Sequence, residues 1–194
     1  MPLPPPVSGP ETFTEVLLAS PLQERFEIIH VDTTGKTSNV NRGRIGWQDG
    51  LFFLRSLVHL LWLRWREHPD LALVLMPMNR TGFIKFAAYA LLCASGGVKV
   101  IGSSQGSHFD RFYDGETAWM RRLIRYTLHH LDAVTVLAHC LEHHFRPFLP
   151  AGRVRTVYLG LDAEVFESIQ HQERNSRRVN VLYVGHISKA KGAL

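Results

Sequence analysis

The chain has 194 residues, of which 45% are hydrophobic, 20% charged and 10% aromatic, a composition that excludes disordered, collagen-like and coiled-coil classes. Its 22 lysines and arginines against 17 acidic residues give a net charge of +5, which suits an anionic partner without selecting a nucleotide, a phospholipid surface or nucleic acid. Two cysteines only, Cys93 and Cys140, both in apolar helix-like stretches, argue against a disulfide framework and fit a reducing compartment.

In chain order, MPLPPPVSGPE has neither a basic n-region nor an apolar h-region, so no secretory signal is expected. Its prolines exclude helix and central strand over residues 1–10. A helix is expected over Glu11–Gln23 and a strand over FEIIHVDTT (26–34). The stretch Thr33–Gly50, rich in Gly, Ser, Asn and Arg, reads as a long surface loop. The next helix is LFFLRSLVHLLWLRWRE (51–67), apolar nearly all round but broken by Arg55, His59, Arg64 and Arg66. Pro69-Asp70 ends it, and LALVLMPM (71–78) is a continuous apolar strand. A helix over Gly82–Ala94 ends at Gly96-Gly97, and VKVIGSS (98–104) is the next strand. A helix over Thr117–Leu131 leads into the strand DAVTVLA (132–138), a short helix over His139–Phe148 and the strand VRTVYLG (154–160). The longest clean apolar stretch, Phe86–Val98, is shorter than the ~20 residues of a membrane span.

Strands that alternate with helices and are apolar throughout, rather than at every second residue, are the pattern of a parallel sheet buried on both faces. The expected fold is therefore α/β, a Rossmann-like doubly wound parallel sheet. The polar run ESIQHQERNSRR (167–178) is the best linker. It divides a domain over 1–166 from VNVLYVGHISKAKGAL (179–194), the strand and loop that open a second domain.

Three loops offer binding chemistry. In VLYVGHISKAKG (181–192) a strand ends at Gly185, and Lys191-Gly192 would open a helix. Strand, glycine turn and helix N-terminus form a phosphate-binding geometry, to which Lys191 adds a full charge. Many ordinary strand–helix turns share this pattern. In PPPVSGPE (4–11), Gly9 precedes a helix and its backbone can approach a ligand closely, although a proline-rich tail reads the same way. In GSSQGSHFDRFY (102–113), at the C-terminal end of a strand, lie Ser103, Ser104, Gln105, Ser107, His108 and Asp110. That edge of an open α/β sheet is where ligands bind. His108 suits proton transfer near neutral pH, unless it and Asp110 merely cap the following turn.

Taken in order, PPPVSGPE (4–11), QGSHFDRFY (105–113), GLDAEVF (160–166) and VGHISKAKG (184–192) resemble the spaced motifs of retaining glycosyltransferases of family 4, over Pro4 to Lys191. The resemblance implies a GT-B fold, two Rossmann-like domains facing a cleft, of which this chain would carry the acceptor-side domain and the start of the donor domain. It implies that Gly9 lies near the donor phosphates, that Gly106 follows a residue facing the sugar, with His108 close by, and that Gly185, His186 and Lys191 lie near the diphosphate. It implies a nucleotide-sugar donor, a sugar or lipid-linked acceptor, no bound metal and no cofactor beyond that co-substrate. Cysteine usage and the basic helices over Leu51–Arg66 and Trp119–His130 add the expectation of a cytoplasmic protein in peripheral contact with a membrane. Three positions depart from the family pattern. Gln105 stands where relatives carry the histidine of H-x-H-G, and can hydrogen-bond but not carry a proton. His186 stands where relatives carry arginine and lacks its two-pronged fork. Leu159 stands for the asparagine of N-G-x-D. Relatives would also have a strand before PPPVSGPE and further donor residues after Leu194, so a longer enzyme is expected. A catalytically inactive homologue acting as a binding module is the competing reading.

Two further classes are written in the residues. His139-Cys140-Leu141-Glu142-His143 fits H-x-x-E-H, in which two histidines on one helix face hold zinc and a glutamate acts as base. The third ligand is not identifiable by spacing, and with 11 histidines such a match arises by chance. Leu51–Arg66, with Trp62, Trp65 and three arginines, and Trp119–His130, with Arg121, Arg122 and Arg125, suit a lipid interface, or else are core helices whose arginines reach solvent. Nucleic acid is not expected, because charge and exposed aromatics are not gathered on one strand surface.

Overall fold

The protein, a computed structural model, is described over residues 1–4, 9–33, 47–150 and 152–158. These residues belong to one compact unit, Met1–Leu159. The 159–162 turn, the 167–178 linker and the strand and loop with Gly185, His186 and Lys191 lie outside the described residues.

The fold is α/β, with helices packed on a parallel sheet, the arrangement of a Rossmann-like doubly wound fold. The order is α1 (Gly9–Ala19), a 3₁₀ turn (Pro21–Glu24), α2 (Trp47–Glu67), β1 (Leu71–Met76), α3 (Arg80–Ala94), β2 (Lys99–Ser104), α4 (Phe109–Asp114), α5 (Ala118–His129), β3 (Ala133–Val136), a second 3₁₀ helix (His139–His144) and β4 (Val154–Thr156). The described strands lie in the order β1-β2-β3-β4, all parallel, with Leu71 opposite Lys99 and Met76 opposite Ser104 at the two ends of the first pairing. A sheet that grows in one direction through right-handed crossovers carries its connecting helices on one face, and α3 and α5 do pack on one another. On that face Val100, Val134 and Val136 meet Phe83, Phe86, Met120, Ile124 and Leu128, all nearly or fully buried. Each such large side chain contributes about 1.5–3 kcal/mol by leaving water. Gly102 has a packing reason: a Cβ there would stand 3.0 Å from Leu131 and 3.4 Å from Phe86. Edge strand β1 is only half-buried along most of its length, so its continuous apolar run does not mean burial on both faces.

Several expectations need correction. FEIIHVD forms no strand of the sheet. Phe26 is 62% exposed, and the Val31 carbonyl and Thr33 N–H bond to Met1 instead. Its β-branched composition favours a pleated surface, but a strand forms only where a neighbour offers a ladder. Helix α2 starts at Trp47, four residues earlier than its apolar run suggests. It ends at Glu67, where His68 takes φ 46° and Pro69 blocks continuation. Helix α4 lies within what reads as a loop, and the helix expected over 139–148 is a 3₁₀ helix ending at His144.

Candidate functional site

The C-terminal ends of β1 and β2 lie side by side, since Met76 pairs with Ser104, so the loops that follow them meet. After β1, Asn79 caps α3: its Oδ1 accepts from the Gly82 N–H at 2.8 Å and from the Thr81 hydroxyl at 3.2 Å. After β2, Gly106 lies directly on Met78. A Cβ at Gly106 would stand 2.5 Å from the Met78 sulfur, so a side chain there would require the Met78 side chain to move aside.

Two buried polar atoms sit at this edge. Ser104 is 1% exposed, and its Oγ has no hydrogen-bond partner among the described residues. The same holds for Nε2 of half-buried Gln105. A buried polar group left unpaired costs about 1–3 kcal/mol, so native chains rarely keep two adjacent ones without a use. Both are neutral. The hydroxyl donates and accepts and the amide nitrogen donates, a set that suits hydroxyl or carbonyl oxygens of a ligand. Ser103, the third polar residue of the run, is also buried.

Beyond Gly106 the loop turns outward. Ser107 and His108 are exposed, with Ser107 Oγ 3.4 Å from His108 Nε2. His108 occupies the N-cap position of α4 but makes no capping bond with its side chain. Asp110 is exposed, and its carboxyl is held below its ordinary range first by the Arg111 backbone N–H, against a desolvation cost, and then by the charge of His144. His144 lies beneath it, its ring 7% exposed, with Nδ1 3.9 Å from Asp110 Oδ1. This pairing spans 34 residues, and no local spacing announces it. Phe109 anchors the loop to the 3₁₀ helix, its ring 4.4 Å from that of Phe145 and 5.8 Å from that of Phe148.

The H-x-x-E-H stretch takes a different form from the one its spacing suggests. In a 3₁₀ helix residues three apart eclipse and residues four apart diverge, so His139 and His143 do not share a face. His139 Nδ1 donates to Glu142 Oε1 at 2.9 Å, whereas His143 turns to the Cys140 carbonyl at 2.5 Å. Thr156 Oγ1 donates to the same Glu142 oxygen at 2.7 Å and Arg146 Nη2 to Oε2 at 3.3 Å. The Thr156 bond, then that of His139, then that of Arg146 hold the Glu142 carboxyl at about 2. A carboxylate so stabilised is a poor base at neutral pH. Among the described residues no group of three His, Cys, Asp or Glu side chains is placed to hold a metal ion. A hollow of about 310 Å³ beside the cluster, lined by Glu142, Arg146, Leu149, Pro150, Gly152 and Val154, lies against this latch rather than at the Gln105 loop.

Of the residues singled out in the sequence, Gln105, Gly106 and His108 are neighbours in one loop, joined there by Ser104. Gly9 opens α1, is exposed, and has open space around its Cβ position. Helix α1 packs chiefly on the 3₁₀ turn that follows it. Gly185, His186 and Lys191 lie outside the described residues. The chain matches no protein-family model and no curated protein. None of the described helices is long and apolar enough to cross a membrane.

Proposed function

We infer that the chain is the acceptor-side part of a retaining glycosyltransferase of family 4 type, which moves a sugar from a UDP- or GDP-sugar to a hydroxyl of a glycan or lipid-linked glycan in the cytoplasm. One observation supports this above others: Ser104 Oγ and Gln105 Nε2, buried and unpaired, beside Gly106 at the ligand-binding edge of a parallel sheet. Sugar hydroxyls are the kind of oxygens this neutral pair accommodates. In this reading Gln105 and Ser104 orient a sugar and Gly106 lets the loop come close. Gly9 supplies backbone near the donor phosphates. Gly185, His186 and Lys191 stabilise the leaving diphosphate from the donor side. Gln105 moves no proton, because an amide has none to give at neutral pH.

The neutrality of Gln105 also favours the second reading, an inactive homologue that binds a sugar nucleotide without transferring the sugar. The zinc-hydrolase reading receives no support, since Glu142 and His139 bond to each other and to Thr156. The test is binding and hydrolysis of a panel of UDP- and GDP-sugars by the natural full-length protein. Turnover of one donor, weakened about tenfold or more by Gln105→Ala, is the expected result. Tight binding without turnover would select the binding module. A folded protein that binds no sugar nucleotide would overturn both readings.

A further inference from the structure

Helix α2 is bolted to α3 by one face. Ser56 Oγ lies 2.6 Å from the Tyr89 hydroxyl, and the Phe53 ring meets the Tyr89 ring edge-on at 5.5 Å. Arg64 Nη1 donates to the Leu92 carbonyl at 2.7 Å and to Ser95 Oγ at 3.2 Å, at the C-terminus of α3 where a cation is favoured. Ser56 and Leu63, seven residues apart, are buried on this side. These bonds fix the roll of the helix and therefore what it turns outward.

Outward lies an apolar stripe. Trp47, Leu51, Leu54, Val58, Leu61 and Trp65 follow one another at steps of four and three residues, and each is between 47 and 78% exposed. At about 1.5 Å per residue the stripe is roughly 27 Å long. Along one flank run Arg55, His59, Trp62 and Arg66, with His59 stacked on the Trp62 ring and the Arg66 guanidinium 5.1 Å from its centroid. Beside it an apolar groove of about 470 Å³, lined by Leu57, Val58, Leu61, Leu91 and Leu92 among others, separates α2 from α3. A contiguous exposed apolar surface of this extent marks an interaction site.

We propose that this face of α2 lies on an anionic lipid bilayer, in the plane of the headgroups. Tryptophans at both ends and on the flank suit the boundary between headgroup and hydrocarbon, where an amphipathic ring satisfies both sides. Arg55 and Arg66 give the flank its positive charge, Arg66 Nε also pairing with Glu67 Oε1 at 3.2 Å, and a chain of net charge +5 attracts anionic headgroups. The same flank disfavours a second copy as the occupant. An antiparallel partner helix centred on the stripe would bring Arg55 of each copy near Arg55 of the other, a like-charge juxtaposition. The charged residues within α2 stop it from spanning the bilayer, so it rests on the surface.

Flotation of the 194-residue chain with phosphatidylcholine vesicles, with and without about 30% phosphatidylglycerol, tests this. Binding at least about tenfold stronger to the anionic vesicles, reversed by about 0.5 M salt and accompanied by a blue shift of tryptophan emission, is the expected result. Leu51→Glu with Leu54→Glu abolishes binding without shifting the melting temperature, because both residues are exposed and neither lines the groove against α3. Arg55→Glu with Arg66→Glu weakens it about tenfold or more. Should the leucine pair disturb folding, Trp65→Ser alone carries the same expectation. Failure to float with either vesicle, binding that these variants leave unchanged, or a dimer in light scattering that the leucine variants dissolve would overturn the proposal; the last result would assign the face to a protein partner. Vesicle binding involves no sugar chemistry, so its failure and that of the glycosyltransferase reading are separately visible.

Discussion

The Gln105 loop and the second 3₁₀ helix are two polar clusters joined through the contact of Phe109 with Phe145, and they treat their polar atoms in opposite ways. In the 3₁₀ helix Glu142 takes bonds from His139, Thr156 and Arg146, and the network closes on itself, tying the helix to β4. At the end of β2, Ser104 and Gln105 bury an oxygen and a nitrogen that meet no partner among the described residues. The cluster with the more chemical-looking motif is thus a structural latch. The plainer run, Ser-Ser-Gln-Gly, holds the groups still able to bind something. A ligand site has to keep some of its hydrogen-bonding capacity unspent, at a cost to the stability of the empty fold.

The largest effect expected from breaking this comparison comes at the ring that joins the two clusters. Phe109→Ala removes a side chain 1% exposed and should cost about 3–5 kcal/mol in urea denaturation, loosening both clusters together. A cost below about 1 kcal/mol would mean that the clusters are held independently. Next, Ser104→Ala should stabilise the ligand-free chain by about 1 kcal/mol, because it deletes a buried hydroxyl that makes no bond. Destabilisation would show that the hydroxyl has a partner, and the contrast with Glu142 would fall.

The smallest effect is read as a pH slope. The Glu142 carboxyl is lowered from an ordinary 4.5 to about 2 in the folded chain. A carboxyl depressed on folding contributes stability above its unfolded value, and the contribution is lost as pH falls through the folded one. Denaturation midpoints of the wild-type chain should therefore fall between about pH 5 and about pH 2, and those of Glu142→Gln should fall less steeply. Parallel slopes for the two would mean that the latch does not operate in solution. Because Glu142→Gln changes other bonds as well as the charge, a change in slope rather than the stability at neutral pH is the sign to look for.

Much of the fold is legible in the residues alone. Alternating apolar strands and helices from Leu71 to Thr156 predicted the parallel α/β sheet, and each of its four described strands lies within the stretch expected for it. Hydrophobic runs and helix stops are local signals, and local signals survive in the sequence. The candidate loop was legible for the same reason: a strand end followed by Gln105-Gly106 needs no knowledge of its neighbours. The Met78–Gly106 contact and the Asp110–His144 pairing join residues 28 and 34 positions apart, and no periodicity encodes them.

What the sequence by itself determined is therefore the kind and order of the elements, because backbone hydrogen bonding and burial patterns repeat every two or 3.6 residues. Tertiary structure alone decided the rest. FEIIHVD has strand composition, yet finds no ladder among the described strands. His139 and His143 have helical spacing, yet the chain winds there as a 3₁₀ helix that separates them. Helix α2 is apolar nearly all round, and its contacts with α3, among them the bonds of Ser56 and Arg64 and the Phe53–Tyr89 ring pair, determine which stripe faces outward. In each case the outcome depends on a partner distant in sequence, whose position the local free energy of the segment does not specify.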